Sequence, residues 1–235
     1  VEDYTVNVIV SGDIVLELKA FLEGPFNGLN MDSDLDLILP LAQPFNAYPW
    51  NYPGTESVAG IPNPNVVEWV LLELRDATTA GNATNGTIIA RQACFILNDG
   101  SIVDLDGSSN PEFSVSVSNN LFVVVWQRNH IGIMSNYALT PSAGVYSYDY
   151  STGPDQVFGG TSGHKNLGGG VYGMFSGDGD RDGTIGNGDK STLWENEAGT
   201  QGYIFSDYNL DSQTNNIDKD DYWVPNIGQG SQVPN

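Results

Sequence analysis

"VVEWVLLELRD", residues 66–76, decides how this chain folds. Its Leu and Glu content reads as helix by propensity, but two interleaved residue sets argue for a strand. Val67, Trp69, Leu71, Glu73 and Arg75 alternate with Val66, Glu68, Val70, Leu72 and Leu74, and aliphatic side chains fill most of both sets. That is the pattern of a central strand covered on both faces. Around it lie short apolar runs rich in Val, Ile and aromatics: "YTVNVIV" (4–10), "DIVLELKAFL" (13–22), "GTIIARQACFIL" (86–97), "SIVDL" (101–105), "EFSVSVS" (112–118) and "NLFVVVWQRN" (120–129). Turn signals at Ser11-Gly12-Asp13, Asn98-Asp99-Gly100 and Asp106-Gly107 separate several of them. The expectation is a mainly β protein: an N-terminal strand in 1–12, an antiparallel β-sandwich over 13–170, and an acidic C-terminal region over 171–235 carrying short helices.

The 235 residues carry 29 acidic against 8 basic side chains, a formal charge of −21. Such a chain is repelled by nucleic acid and by anionic lipid, which excludes both as expected partners. Its self-repulsion also calls for an offset, which bound divalent cations would supply. No run approaches the ~18 apolar residues of a membrane helix. The one cysteine, Cys94, sits in "ACFIL" and is expected to be a buried, inert thiol. The sequence starts at Val1 without a signal peptide, as expected of a processed, exported protein.

The acidic region is an internal repeat. Shifted by 29 residues, "DGDRDGTIGNGDKSTLW" (178–194) aligns with "DYNLDSQTNNIDKDDYW" (207–223). Asp178, Asp180, Asp182, Asp189, Lys190 and Trp194 fall on Asp207, Asn209, Asp211, Asp218, Lys219 and Trp223 without a gap. Each copy offers oxygen donors at loop positions 1, 3, 5 and 12, with Gly183 or Ser212 at position 6 and the backbone carbonyl of Thr184 or Gln213 at position 7. Calcium takes six to eight hard oxygens from a flexible loop of this kind, so two calcium sites are expected. Aspartate stands at position 12 where an EF-hand has glutamate, and Thr214 replaces the apolar Ile185 at position 8.

Two further segments have alternative readings. In the Pro-rich "LPLAQPFNAYPWNYPG" (39–54), Tyr48, Trp50 and Tyr52 either stack on a sugar or cap an open end of the sandwich. At the N-terminus, Tyr4, Val6, Val8 and Val10 form one apolar strand face. It either folds into a hairpin with "DIVLELKAFL" through Ser11-Gly12, or leaves the body and completes the sheet of another copy. Asn82-Ala-Thr84 and Asn85-Gly-Thr87 match N-glycosylation acceptors. His130 and His164 lie in no nucleophile motif, and His130 is expected to satisfy backbone at a strand end; no positive case for an enzyme arises.

The paired loops resemble the duplicated calcium loops of dockerin modules, where a short helix follows each loop; "KSTLWENE" and "KDDYW" fit that place. More widely, "LKAFLEGPFNG" (18–28), "LPLAQPFN" (39–46), "PWNYPGTESVAGIPNPNVVEWVLLELRDA" (49–77), "ARQACFILNDGSIVDLDG" (90–107), "VVVWQRNHIGIMS" (124–135) and "GGGVYGMFSGDGDRDG" resemble a β-module of secreted bacterial surface proteins. The resemblance implies an extracellular or cell-surface location, an extracellular β domain and a calcium-loop tail, with no reaction attached. A terminal strand such as 4–10 is uncommon in that module, which favours strand donation. The expected function is therefore structural: a subunit of a pilus-like filament, polymerising with copies of itself and stabilised by calcium. A calcium-dependent adhesin or carbohydrate-binding module, with glycans as partners, is the alternative.

Overall fold

A computed structural model describes residues 13–235. The expected strand over 4–10, with Tyr4, Val6, Val8 and Val10, lies outside the described residues. The strands are β1 (Ile14–Lys19), β2 (Val66–Ala77), β3 (Ile88–Leu97), β4 (Ser101–Val103), β5 (Glu112–Phe113), β6 (Asn120–Trp126), β7 (Ile133–Met134), β8 (Pro141–Ser142), β9 (Val145–Asp149), β10 (Lys165–Gly168) and β11 (Val171–Gly173). The first nine form one curled sheet ordered β7-β6-β2-β3-β4-β1-β9-β8, with β5 beside β1; β10 and β11 are a separate hairpin.

The protein is mainly β, as its patterning predicts, but the sheet is mixed and half-barrel-like rather than a purely antiparallel sandwich. The mixing comes from one contact: β9 runs parallel to β1, with Val15 opposite Val145 and Lys19 opposite Asp149. A parallel neighbour requires a long crossover, and the chain supplies it through β2 to β8. Val171, where the acidic region is expected to begin, is the first residue of β11.

β2 is the central strand. Antiparallel ladders to β3 and β6 run along it, and every residue of Val66–Ala77 except Asp76 is buried. Trp69 packs on Phe95 and donates its indole N–H to the carbonyl of Pro40, drawing the Pro-rich loop onto the sheet. The strand also buries three charges. Glu68 pairs with Arg128 at 2.8 Å and accepts the Tyr203 hydroxyl at 2.9 Å. Glu73 pairs with Arg75, whose guanidinium donates to the carbonyls of Ala83 and Pro234. Removing one partner from a buried pair of this kind typically costs about 3–5 kcal/mol, because the other charge is stranded. These pairs therefore fasten the C-terminal region to the sheet, Glu68 and Arg128 through Tyr203 and Arg75 through Pro234.

His130, at the end of β6, is fully buried and its Nε2 accepts the Gly24 amide at 3.1 Å. That bond fixes the neutral ring with its proton on Nδ1, shared with the side-chain oxygens of Gln127 and Asn129. Burial, with the nearby Arg128 charge second, lowers its pKa to about 3. Since the folded value lies below the unfolded 6.5, neutral His130 contributes its full stability above pH 6.5 and loses it as pH falls toward 3. His130→Gln should make the signed slope of stability against pH between pH 6 and 4 more negative by about 1.4 kcal/mol per unit, read from urea midpoints across that range. A slope equal to that of the parent protein would show that the ring is not held neutral.

Candidate metal centre

The two halves of the acidic region fold alike. Helical segments occupy 187–197 and 216–226, with π-type hydrogen bonding over Asp189–Trp194 and Asp218–Trp223, so the 29-residue shift persists in three dimensions. Gly183 and Ser212 both adopt left-handed backbone, φ 87° and 72°, and Arg181 and Leu210 share that region at 65° and 60°. Glycine takes this conformation freely, whereas serine takes it under strain, so the second loop closes at some cost.

The halves also exchange bonds. The Ile185 amide donates to the carbonyl of Gln229 (2.8 Å), and the Thr214 amide to that of Thr200 (3.0 Å). Trp194 donates its indole N–H to the carbonyl of Asn215, and Trp223 to that of Gly186, each at 2.8 Å. Each of these pairs maps onto the other under the 29-residue shift. Thr214, which departs from the apolar pattern, is buried like Ile185, with its hydroxyl 3.1 Å from that of Ser206.

In the first loop Asp178, Asp180 and Asp182 present carboxylate oxygens within 4.8 Å of one another, an arrangement that can hold a metal ion. Asp178 is 6% exposed, and its Oδ1 is buried with no hydrogen-bond partner among the described residues. An unpaired buried carboxylate oxygen is costly, and a cation is the partner that suits it. Burial, and then the charges of Asp189, Asp182 and Asp180, push the Asp178 carboxyl well above the usual range. Its other oxygen accepts the Gly183 amide at 3.2 Å, so the bend at position 6 aims the carboxylate.

Asp189, at position 12, stands outside that group of three. Its two oxygens accept the amides of Asp180 (3.0 Å) and Gly186 (2.7 Å), bracing the loop from behind. Asp218 repeats this on Asn209 and Asn215. Burial raises Asp189 and Asp218 to about 6 each, and Asp207 to about 7 against the opposing pull of Arg128. In the second loop Asp207 Oδ2 accepts the Ser212 amide at 3.0 Å, Asp211 Oδ1 accepts that of Gln213 at 2.9 Å, and Asn209 donates to Asp211. Thr184 and Gln213, at position 7, are exposed at the isolated bridges to Gly230 and Gln201.

One residue that the sequence reading passed over holds both loops. The Asn129 carbonyl accepts the amides of Gly177 and Asp178, each at 3.1 Å, and its side-chain amide donates to the carbonyls of Phe205 and Asp207 at 3.1 and 2.6 Å. Position 1 of each loop is thus fixed by the same fully buried residue just past the end of β6, which holds Asp178 through its backbone carbonyl and Asp207 through its side chain. Behind it Ile131, Phe175, Ile185, Tyr208 and Trp223 form an apolar cluster between sheet and tail.

The aromatic trio is split by the fold. Tyr48 is 63% exposed, whereas Trp50 meets Phe45 edge-on at 5.0 Å and Tyr52 is buried beneath the Arg91 guanidinium. The Tyr52 hydroxyl reaches Glu56 and the Arg91 carbonyl, so a three-ring exposed platform is not what the loop builds. Tyr48 and Trp50 instead line a cleft of about 530 Å³ with Trp126, Arg91, Arg181 and Asp182, beside the first acidic loop. Asn82 is exposed, and Asn85 accepts a bond from Arg75 through its side-chain oxygen. Cys94 is buried, which pushes its thiol pKa up, as expected of an inert residue.

Asp178→Asn should change the melting temperature in opposite directions according to the metal present. In chelator the variant should melt higher than the parent, because a buried charge among three others is gone. With a divalent cation in ~100-fold excess over its dissociation constant, the parent should gain about 2.7 kcal/mol, or roughly 5–10 °C, and the variant much less. Identical melting curves in both conditions would remove the metal centre. No family model, curated protein or solved structure matches the chain.

Proposed function

We propose that this chain is a non-enzymatic extracellular structural protein of bacteria: a subunit of a pilus-like surface filament, joined by donating residues 4–10 to another copy and stabilised by calcium at both acidic loops. The observation that carries strand donation is the state of β1. A hairpin through Ser11-Gly12 needs a free edge on β1, and β1 has none. Val15–Lys19 pair with β9 on one side, and Ile14–Val15 with β5 and Leu18–Lys19 with β4 on the other. Between those two contacts the Leu16 amide donates to the Pro111 carbonyl at 3.0 Å. An apolar strand face that its own neighbour cannot accept is suited to a second copy.

Calcium is the cation favoured by the all-oxygen donor set, and extracellular calcium modules work at 10⁻⁴–10⁻³ M, roughly the level found outside cells. Calcium also offsets part of the −21 charge where it is most densely buried. Among the described residues no helix is long and apolar enough to cross a membrane, which leaves anchoring through neighbours in a filament compatible with the fold.

A second reading, a calcium-dependent carbohydrate-binding module, draws support from the cleft where Tyr48, Trp50 and Trp126 meet Asp182 and Thr184 of the first acidic loop. One experiment separates the two. Deleting residues 1–10 should abolish filaments seen by electron microscopy while the circular dichroism of the sheet persists. Continued polymerisation would contradict strand donation, and calcium-dependent retention of the truncated monomer on a glycan array would favour the second reading.

A further inference from the structure

The chain carries eight basic side chains, and five of them pair with a carboxylate: Arg75, Arg128, Lys165, Lys190 and Lys219. Two of the other three, Arg91 and Arg181, line the same cleft of about 530 Å³. In a chain of net −21, neither has an ion partner among the described residues. Each guanidinium instead lies over an aromatic ring, Arg91 over Tyr52 at 5.5 Å and Arg181 over Phe205 at 4.1 Å. Such stacking uses the face of the fork and leaves N–H groups at its edge for a planar acceptor. The acids beside them are already engaged. Glu73 pairs with Arg75, and Asp182 accepts the Thr184 amide within the group it forms with Asp178 and Asp180. Two side chains of the cleft, Trp50 and Arg181, also bury an N–H with no hydrogen-bond partner among the described residues. Both unmet atoms are donors, so what the cleft lacks is an acceptor, and a negatively charged one bonds such donors most strongly.

We propose that this cleft binds a carboxylate-bearing saccharide, a uronic acid unit of a glycan, with Arg91 and Arg181 meeting the carboxylate and aromatic rings meeting the sugar. The inference rests on the carbohydrate-binding reading above and names its ligand class; filament assembly does not depend on it. The cavity lies within the size range of small-ligand sites. Tyr48 is 63% exposed and Trp50 and Trp126 are half-buried, so apolar ring surface stands beside the two charges. That combination favours a sugar ring over an acidic peptide, which offers the carboxylate without the flat C–H face that stacks on such rings. The net charge of the chain is compatible with a small anion held locally, because exposed charges more than about 8–10 Å away are largely screened at physiological salt.

The test is calorimetric titration of the full chain with trisaccharides of galacturonic and glucuronic acid, their methyl esters, and a glutamate-rich peptide. At least one acid should bind about tenfold or more tightly than its ester, which keeps the ring and loses the charge. R91Q should remove that preference. It also gives up the bond from Arg91 to the Trp50 carbonyl, so R181Q repeats the test: the Arg181 guanidinium makes no side-chain hydrogen bond among the described residues. Circular dichroism of both variants checks that the sheet is intact. Equal binding of acid and ester, or a preference unchanged in both variants, would overturn the inference while leaving the carbohydrate reading standing. Binding of no saccharide would overturn both. A peptide bound as tightly as the acids would assign the cleft to protein carboxylates and overturn the saccharide class.

Discussion

The grip of Asn129 on both acidic loops is the contact on which the lower half of the molecule depends. One fully buried side chain and its carbonyl take hold of position 1 in each repeat, so Asp178 and Asp207 are drawn inward together. The cost is electrostatic. Burial drives up the pKa of Asp178 and of Asp207, and Asp178 keeps an oxygen without a hydrogen-bond partner among the described residues. A cation held there would turn that cost into cohesion, because it would neutralise carboxylates that the fold buries. Position, burial and charge are thereby one problem with one solution.

The sheet is built to receive this tail. β2 is buried along almost its whole length, but it is not an inert hydrophobic strand. Glu68 meets Arg128, next in sequence to Asn129, and Glu73 orients Arg75 toward the carbonyl of Pro234. Charged groups in a central strand are expensive unless they are fully paired, and here their partners lie on or beside the docked segments. Sheet and tail are therefore held by the same ion pairs that make the core viable.

Much of this was legible in the residues. The two-set alternation of 66–76 reads correctly as a strand buried on both faces, and β1, β3, β4 and β6 fall within their expected runs. The repeat is visible as a sequence shift because its geometry needs the same residue types at the same loop positions. The strands from β7 to β11 were not legible: they are two to five residues long, too short for an alternation to show, and β9 is placed by a partner as distant in sequence as β1. Asn129 was hidden for a similar reason. Nothing in "RNH" marks an asparagine as a bridge to Asp178 and Asp207, far along the chain. Residue type alone leaves the aromatic loop open between stacking and capping, because exposure does not follow from it: Tyr48 stays outside while Tyr52 turns inward to Glu56 and Arg91.

The proposed strand donation and calcium binding meet in a single physical picture, an acidic body whose charge would be held in check by ions and whose residues 4–10 would join the next copy. The claim at its centre is that cations occupy the duplicated loops. Native mass spectrometry of the intact protein in calcium measures this most directly. The account predicts a mass two calcium ions above that of the bare chain, returning to the bare mass in chelator. A chain that carries no ion at millimolar calcium would contradict it.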